Sequence, residues 1–214
     1  MKILVTAGPT YEPIDPVRFI GNHSSGKMGI AIAEEFARLG HEVTLVKGAT
    51  SLNPVNTQII QVQAPTAAEM FDACKQYFAQ ADVIVFAAAV ADYTPKHPSA
   101  TKIKKKEDEF TIELVKTKDI ALELGKQRTD KQVLVGFALE TNDEEAHARE
   151  KLTKKNLDFI VLNSMRDAGA GFKTDTNKIT IIDRQGNVTK FDLKEKTEVA
   201  KDIVGYVEKI QGLK

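Results

Sequence analysis

Residues 3–29 read ILVTAGPTYEPIDPVRFIGNHSSGKMG, and this stretch sets the architecture. It opens with an apolar run typical of a buried strand and closes on the glycine-rich turn GNHSSGKMG at 21–29, where a helix is expected to begin. The turn nearly spells the phosphate-binding pattern G-x-x-x-x-G-K-[ST], but Met28 stands where a magnesium-binding hydroxyl is needed. A long loop also separates the turn from the first strand. Both features argue against an ordinary P-loop NTPase.

Beyond this stretch, short apolar runs alternate with helical patterns along the chain. Such alternation predicts an α/β fold, a Rossmann-like three-layer sandwich with helices on both faces of a mostly parallel sheet. The predicted strands span 3–6, 42–46, 83–90, 133–139 and 158–163, and the predicted helices span about 26–39, 66–79, 119–127, 143–154 and 194–210.

Two stretches break the alternation. Residues 179–183 and 188–192 flank Gln185-Gly186-Asn187, which predicts an antiparallel hairpin at the sheet edge. Residues 94–116 carry the lysine run KIKKK at 102–106 and the alternating segment FTIELV, which together predict a projecting two-stranded flap. Its Lys102 and Lys104 are expected on one strand face. With no second core recognisable, residues 1–214 are interpreted as a single domain containing this flap.

Composition excludes several classes of protein. Thirty basic and thirty acidic residues cancel, so no global field favours nucleic acid or an anionic membrane as a partner. The single cysteine, Cys74, excludes a disulfide framework and is predicted to face inward on an amphipathic helix. No apolar run approaches the ~20 residues of a membrane span, and Met1-Lys2 leads straight into a strand. The sequence therefore predicts a cytoplasmic location.

Loops that follow strands are the first candidates for chemistry, because ligands of open α/β sheets bind beyond the strands' carboxyl ends. Ser24, Ser25 and Gly26 start the first helix and can bind an anion, although an ordinary serine N-cap explains them as well. The nearby Arg18 favours a phosphate. Asp92, at the end of AAAVAD, can hold Mg²⁺ on a nucleotide or cap a turn.

Lysines are the remaining candidates. KIKKK is either a solvated face or a cover for a polyphosphate, and Lys151 and Lys155 lie one helical turn apart. The four histidines lack zinc spacing, and no Ser/His/Asp arrangement is present. The fingerprint G-x-G-x-x-G is missing after the first strand, which weakens but does not exclude dinucleotide redox chemistry.

Four stretches in order, TAGPTYEPIDPVRFIGNHSSGKMG at 6–29, AAVADY at 88–93, KIKK at 102–105 and GFALET at 136–141, resemble the phosphopantothenoylcysteine synthetase family of coenzyme A biosynthesis. The resemblance implies a homodimeric Rossmann-like ligase that joins 4′-phosphopantothenate to L-cysteine with Mg²⁺ and a nucleoside triphosphate. An acyl-nucleotide is the implied intermediate. The spelling NHSSGKMG resembles the bacterial, CTP-using branch rather than the ATP-using eukaryotic one. Because the chain starts at the synthetase's first strand, it is interpreted as a standalone synthetase, with phosphopantothenoylcysteine decarboxylase on another polypeptide.

The resemblance also implies residue roles. Asn22 is implied to contact phosphopantothenate and turn over the acyl intermediate, Lys102 to bind the triphosphate, and Asp92 to bind nucleotide and Mg²⁺. The other implied substrate ligands are Arg18, Ser24, Ser25, Gly26 and Ala89, and the other implied nucleotide ligands are Gly8, Ala88, Lys118, Asp119, Ile120, Ala121, Phe137, Lys151 and Lys155. Two alternatives stay open: an NAD(P)-dependent reductase, and a nucleotide or RNA binder that uses KIKKK, against which zero net charge argues.

Overall fold

The computed structural model describes residues 1–105, 109–140, 142–164 and 174–213. Its strands are β1 (Lys2–Ala7), β2 (Tyr11–Pro13), β3 (Phe19–Gly21), β4 (Glu42–Lys47), β5 (Ile60–Gln63), β6 (Val83–Phe86), β7 (Tyr93–Pro95), β8 (Leu114–Lys116), β9 (Val133–Glu140), β10 (Phe159–Ser164), β11 (Thr176–Asn177), β12 (Ile179–Asp183), β13 (Val188–Lys190) and β14 (Lys194–Glu195). The helices are α1 (Lys27–Arg38), α2 (Ala67–Phe78), α3 (Ile120–Gly125), α4 (Glu144–Lys154) and α5 (Lys196–Ile210).

The main sheet has the strand order β13-β12-β10-β9-β6-β1-β4-β5. Pairing is parallel from β10 through to β5 and antiparallel at β10–β12 and β12–β13. The predicted α/β class, mostly parallel sheet and edge hairpin are therefore confirmed. From β1 the chain builds outward through β4 to β5, then returns to β6 and builds the other way. The switch point between β1 and β6 opens a crevice at the strands' carboxyl ends.

The strand predictions need correction in two respects. The predicted strand over 83–90 ends at Phe86, because the chain then turns to pair with the loop after β1: the Ala89 N–H donates to the Gly8 carbonyl at 2.9 Å, and the Thr10 N–H donates to the Ala89 carbonyl at 3.2 Å. Strands β2, β3, β5, β11 and β14 were not predicted. Strand β5 lies at the exposed edge of the sheet, where an apolar run is not required. The stretch between β1 and α1, expected to be a long loop, contains the antiparallel hairpin β2–β3.

Helices cover both faces of the sheet, and residues of β1 show how the core divides. Ile3 and Val5 pack with α1 and α5 on one face, whereas Leu4 packs with α2, α3 and α4 on the other. Strands buried on both faces explain the uninterrupted apolar runs. Cys74 is buried on α2 as predicted, and that burial raises the pKa of its thiol to about 12. Within the described ranges, no helix is long and apolar enough to cross a bilayer.

The flap is confirmed as a two-stranded projection, but its lysines do not lie on a strand. Strands β7 and β8 pair in antiparallel register, with Tyr93 opposite Lys116. Residues 102–105 have no regular structure, so the expectation that Lys102 and Lys104 share one strand face is wrong. Lys106 lies outside the described residues. Strand pairing therefore covers only the base of the flap.

Helix α1 lies close against β1 at Gly29, which gives a stability prediction. A Cβ added to Gly29 would lie 2.8 Å from the carbonyl oxygen of Thr6 and 2.7 Å from the Cβ of Ala7. We expect Gly29→Ala to lower the free energy of unfolding by about 1–3 kcal/mol through overpacking. In urea titration, the control Gly205→Ala should instead raise stability by about 0.5–1 kcal/mol, because open space surrounds that helical glycine. Equal stability of the two variants would contradict close packing at Gly29.

Candidate active site

A cavity of about 670 Å³ opens at the switch point, beyond the carboxyl ends of the central strands. Its volume is within the range of ~300–1,000 Å³ typical of small-molecule sites. Its walls combine small backbone-exposing residues with lysines, asparagines and carboxylates. The predicted site residues that line it are Asn22, Ser24, Ser25, Gly26, Ala88, Ala89, Asp92, Lys118, Asp119, Ile120, Ala121, Phe137, Lys151 and Lys155.

The turn before α1 forms one wall, and Gly8 supports it from below. Gly8 and Gly26 have φ angles of 85° and 81°, and a Cβ on Gly26 would lie 3.1 Å from the Gly8 backbone. The Ser24 Oγ accepts from the Gly26 N–H at 3.3 Å, and the Ser25 Oγ accepts from the Lys27 N–H at 3.5 Å. Gly26, not a serine, is the N-cap and gives no side-chain capping bond. The serines thus shape a glycine-capped turn at the positive end of the α1 dipole.

Asn22 joins the two sides of the switch point. It directly follows β3, and its Nδ2 donates to the carbonyls of Ala89 at 3.1 Å and Val90 at 3.2 Å, both in the loop after β6. These bonds fix the amide at the cavity wall. Among the described residues, its Oδ1 has no bonded donor. An amide held in this way presents a neutral acceptor, Oδ1, for an N–H or O–H group of a bound molecule.

A basic wall stands on the α3 and α4 side. The Lys151 ammonium lies 2.5 Å from a Glu140 carboxylate oxygen, and the Lys155 ammonium lies 2.9 Å from Asp119. Asp119 also accepts from the Leu122 N–H at 3.1 Å and so caps α3. Lys118 and Phe137 line the same side. This wall can bind a phosphate, because its ammonium groups are held at the cavity by carboxylates that leave them partly exposed.

The opposite wall contains polar residues that the sequence did not single out: Lys27, Asn163, Asn177 and Lys196. The Lys27 ammonium pairs with Asp175, and the Asn177 amide donates to Asn163 Oδ1 at 3.2 Å. Lys196 is only 8% exposed and donates to the Thr174 carbonyl at 2.5 Å. Burial, and then the neighbouring Lys27 charge, lower the pKa of Lys196. Only Lys27 had a sequence signal, as part of SSGK; the others reach the cavity through long-range packing.

Three predicted residues lie elsewhere. Gly8 lies beneath the turn, as described. The Arg18 guanidinium bonds the Asp15 carboxylate and the Ile103 carbonyl, and Lys102 is exposed on the flap; neither lines the cavity. Their predicted ligand contacts remain predictions. Thr141 of GFALET lies outside the described residues.

Asp92 tests whether the cavity suits a magnesium ion. Its exposed carboxylate lines the cavity, while its backbone carbonyl accepts from the Thr117 N–H at 2.9 Å. Within the described part of the chain, no group of three or more His, Cys, Asp or Glu side chains could hold a metal ion. One carboxylate nevertheless suits Mg²⁺, which is commonly bound by one or two carboxylates together with substrate phosphates.

The sheet and the switch-point cavity, with lysines on two of its walls, define a Rossmann-like α/β protein with a cleft of small-molecule size. A family model, the DNA/pantothenate metabolism flavoprotein C-terminal domain, matches residues 1–210, and the chain belongs to this family. The phosphopantothenoylcysteine synthetase resemblance is thereby confirmed at the level of the family.

Two curated proteins are similar in sequence to most of the chain. It is 54% identical over 203 residues to a cysteine/cysteine sulfinic acid decarboxylase from an unknown prokaryotic organism, covering 95% of this chain and 56% of that protein. The coenzyme A biosynthesis bifunctional protein CoaBC of Bacillus subtilis (strain 168) is 43% identical over 202 residues, covering 94% of this chain and 50% of that protein. The chain thus spans about half the length of these curated relatives.

Solved structures agree on the fold. The crystal structure of the C-terminal domain of a CoaBC protein superposes with a TM-score of 0.84 at 42% identity, covering 100% of this chain and 96% of that one. A Cab2 mutant in complex with phosphopantothenate-cysteine has a TM-score of 0.74 at 17% identity, covering 97% of this chain and 86% of that one. At that identity the second likeness supports the fold alone.

Proposed function

We propose that this chain is a phosphopantothenate-cysteine ligase that joins 4′-phosphopantothenate to L-cysteine in coenzyme A biosynthesis. The observation that carries the proposal is the meeting of Asn22, the Ser24–Gly26 turn, Asp92 and the α4 lysines around one cavity. Two relatives add support, since a CoaBC protein matches over 94% of this chain and a CoaBC C-terminal domain shares its fold. CTP is the proposed co-substrate, Mg²⁺ the proposed metal, and ATP the alternative nucleotide.

The proposed reaction has two steps. In the first, a carboxylate oxygen of phosphopantothenate attacks the α-phosphorus of CTP, the bond to the β-phosphate breaks, and pyrophosphate leaves. In the second, the cysteine amine attacks the carbonyl of this acyl-cytidylate, loses a proton, and CMP leaves. Neither step requires a protein nucleophile. Both require positioned cations and hydrogen-bond donors where charge develops.

The basic wall suits the nucleotide. Lys151 and Lys155 present ammonium groups from one face of α4, and the flap carries Lys102 for the triphosphate. Asp92 would hold Mg²⁺ together with the nucleotide phosphates, and the bound ion would neutralise phosphate charge. Asn22, fixed to the loop after β6, would accept through its Oδ1 from the attacking cysteine amine during acyl transfer.

The wall opposite suits the phosphate of phosphopantothenate, with the Ser24–Gly26 turn and Lys196 around it. We expect Lys196→Met to raise the KM for phosphopantothenate about tenfold, at the lower end of what a hydrogen bond to a charged group contributes, because Lys27 still faces the anion. The KM for CTP should not change. Steady-state kinetics with Lys201→Met as the control would check this, since Lys201 pairs with Glu198 on the outer face of α5 at 2.6 Å. A change in the KM for CTP instead would show that this wall binds the nucleotide.

A matrix of substrates tests the ligase function. The chain is incubated with Mg²⁺ and combinations of CTP, ATP, phosphopantothenate and cysteine, and mass spectrometry follows pyrophosphate, the acyl-nucleotide and the cysteine conjugate. We expect pyrophosphate only when CTP and phosphopantothenate are both present. Release indifferent to phosphopantothenate would refute the ligase function. Carbon dioxide from cysteine alone would favour the activity that names the decarboxylase relative, and saturable NADPH binding without CTP binding would favour a reductase.

We further propose a cytoplasmic homodimer that hands its product to a separate phosphopantothenoylcysteine decarboxylase. Exposed apolar side chains on the hairpin β2–β3 and on the flap support the homodimer: Phe19, Tyr93, Leu114 and Val115. Strand β2 packs against β7, so these side chains belong to adjoining elements. Light scattering at micromolar concentration would give twice the chain mass if this is correct, and the mass of one chain if it is not.

A further inference from the structure

The turn of the hairpin β2–β3 holds the lysine segment of the flap by the backbone of one residue. Asp15 Oδ2 accepts from the Ile103 N–H at 3.0 Å, and Arg18 Nη2 donates to the Ile103 carbonyl at 3.0 Å. Both backbone groups of Ile103 are therefore bonded to the Asp15–Arg18 pair. Ile103 stands between Lys102 and Lys104, so this contact acts at the centre of the lysine run.

The pair itself is rigidly built. Asp15 Oδ1 accepts from the N–H groups of Val17 and Arg18, each at 2.9 Å, while Oδ2 accepts from Arg18 Nε at 3.1 Å and is bonded to Arg18 Nη2. The Asp15 side chain is 0% exposed. The Arg18 guanidinium holds the pKa of the Asp15 carboxyl well below its usual range, so the carboxylate stays charged. A buried carboxylate with this many donors is an anchor rather than a surface group.

The lysine segment has few other supports among the described residues. The paired strands of the flap end at Pro95 and Leu114. Beyond them, the Lys96 N–H donates to the Glu113 carbonyl and the Ser99 N–H donates to the Ile14 carbonyl, each at 2.9 Å. Residues 102–105 are irregular, with Lys102 and Lys104 exposed. Hairpin β2–β3 also ends next to Asn22. The same hairpin therefore leads into Asn22 at its end and contacts the lysine segment through Asp15 and Arg18 in its turn.

We propose that Asp15, together with Arg18, is a positioning residue that sets Lys102 for the nucleotide. This proposal rests on the proposed ligase function. It adds to that function a residue that does not contact the substrate. Arg18, expected from the resemblance to bind phosphate, acts here through the flap backbone. The nucleotide step thereby depends on a residue 88 positions away from the segment it holds.

We call the contact of the Asp15–Arg18 pair with the Ile103 backbone the clamp. Asp15→Asn removes it selectively. An asparagine can still accept from the Val17 and Arg18 N–H groups through its oxygen, but its NH₂ group cannot accept from Ile103 or Arg18. The control Glu35→Gln makes the same change in another i, i+3 arginine pair, Glu35–Arg38 at 2.7 Å, away from the cavity. If Asp15→Asn fails to fold, Arg18→Lys keeps a charge beside Asp15 but removes the forked guanidinium.

Limited trypsin digestion, with cleavage sites assigned by mass spectrometry, tests the clamp without relying on any enzymatic activity. We expect cleavage after Lys102 and Lys104 to accelerate about tenfold in Asp15→Asn and to stay unchanged in Glu35→Gln, because local opening governs proteolysis. CTP with Mg²⁺ should protect these sites, with half-protection in Asp15→Asn needing about tenfold more CTP. Unaltered cleavage in both clamp variants would overturn the proposal, even in a fully active ligase.

Kinetics of the separate steps complete the test. Asp15→Asn should slow acyl-cytidylate formation about tenfold to hundredfold, as misplacement of a catalytic group does, and leave cysteine transfer from preformed acyl-cytidylate unchanged. In a Lys102→Gln background, the same substitution should add little, because both act through one lysine. Additive losses, or a selective rise in the KM for phosphopantothenate, would instead make the Asp15–Arg18 pair a substrate ligand. If the wild-type chain forms no acyl-cytidylate, the proposed ligase function is refuted. The digestion experiment still tests whether the Asp15–Arg18 pair holds the lysine segment.

Discussion

Replacement of Asn22 by aspartate should let acyl-cytidylate accumulate and slow its transfer to cysteine by about 10²-fold, the loss that misplacing one positioned group at a reacting centre can cause. The structure gives the reason. Asn22 Nδ2 donates to the carbonyls of Ala89 and Val90, and an aspartate would set a carboxylate against these two oxygens. The side chain would leave its position at the cavity wall, and its negative charge would repel the carboxylate of the incoming cysteine, whose amine is the attacking group.

Quench-flow with radiolabelled CTP would measure the two steps separately. We expect formation of acyl-cytidylate to be far less affected than its consumption, so the intermediate builds up on the enzyme. Asn53→Asp is the matched control, because Asn53 accepts from the buried Lys47 ammonium, which accommodates the added charge outside the cavity. An Asn22 variant with full cysteine ligation would remove this residue from the mechanism.

Replacement of Lys102 by glutamine should slow the first step by about 10²–10³-fold, or roughly 2.7–4 kcal/mol, if its ammonium stabilises the pyrophosphate leaving group as an oxyanion donor does. Consumption of preformed acyl-cytidylate should not change, since pyrophosphate has already left. The effect falls on the rate rather than on CTP binding alone, because Lys151 and Lys155 still contact the nucleotide in the proposed arrangement.

The flap provides a control for Lys102. Lys96→Gln removes the same charge, but the Lys96 ammonium is paired with Glu113 at 2.6 Å and is expected to contribute little. Single-turnover formation of acyl-cytidylate should therefore be near wild type in Lys96→Gln and slow in Lys102→Gln. Equal losses in the two variants would show a general effect of flap charge. An unaltered rate in Lys102→Gln would exclude this lysine from the first step.

Local sequence was sufficient for the scaffold and for the turn before α1, whereas most other cavity residues were expected only from the family resemblance. Apolar runs such as 133–139 predicted buried strands, because a strand covered on both faces has few polar positions. The stretch from Asn22 to Gly26 was expected in the site because glycines and hydroxyl residues before a helix are typical of an anion-binding turn. Both signals arise from neighbouring residues.

What the sequence could not predict depends on contacts between distant residues. The lysine segment 102–105 has no periodicity of its own, and its placement comes from Asp15. Lys196 and Asn177 reach the cavity only because the packing of α5 and the sheet brings them there. Arg18 was expected to bind phosphate from its position near the turn and from the resemblance, and its bonds to Asp15 and to Ile103 on the flap have no sequence signal.

The switch point between β1 and β6 also bears on when the site exists during folding. Asn22 lies in the connection from β1 to β4, on one side of the switch point, and its acceptors Ala89 and Val90 lie in the loop after β6, on the other side. A folding intermediate with only one ordered half would contain strands and helices but no complete cavity. During refolding, nucleotide binding should therefore recover with the slowest, global phase rather than with the earliest secondary structure.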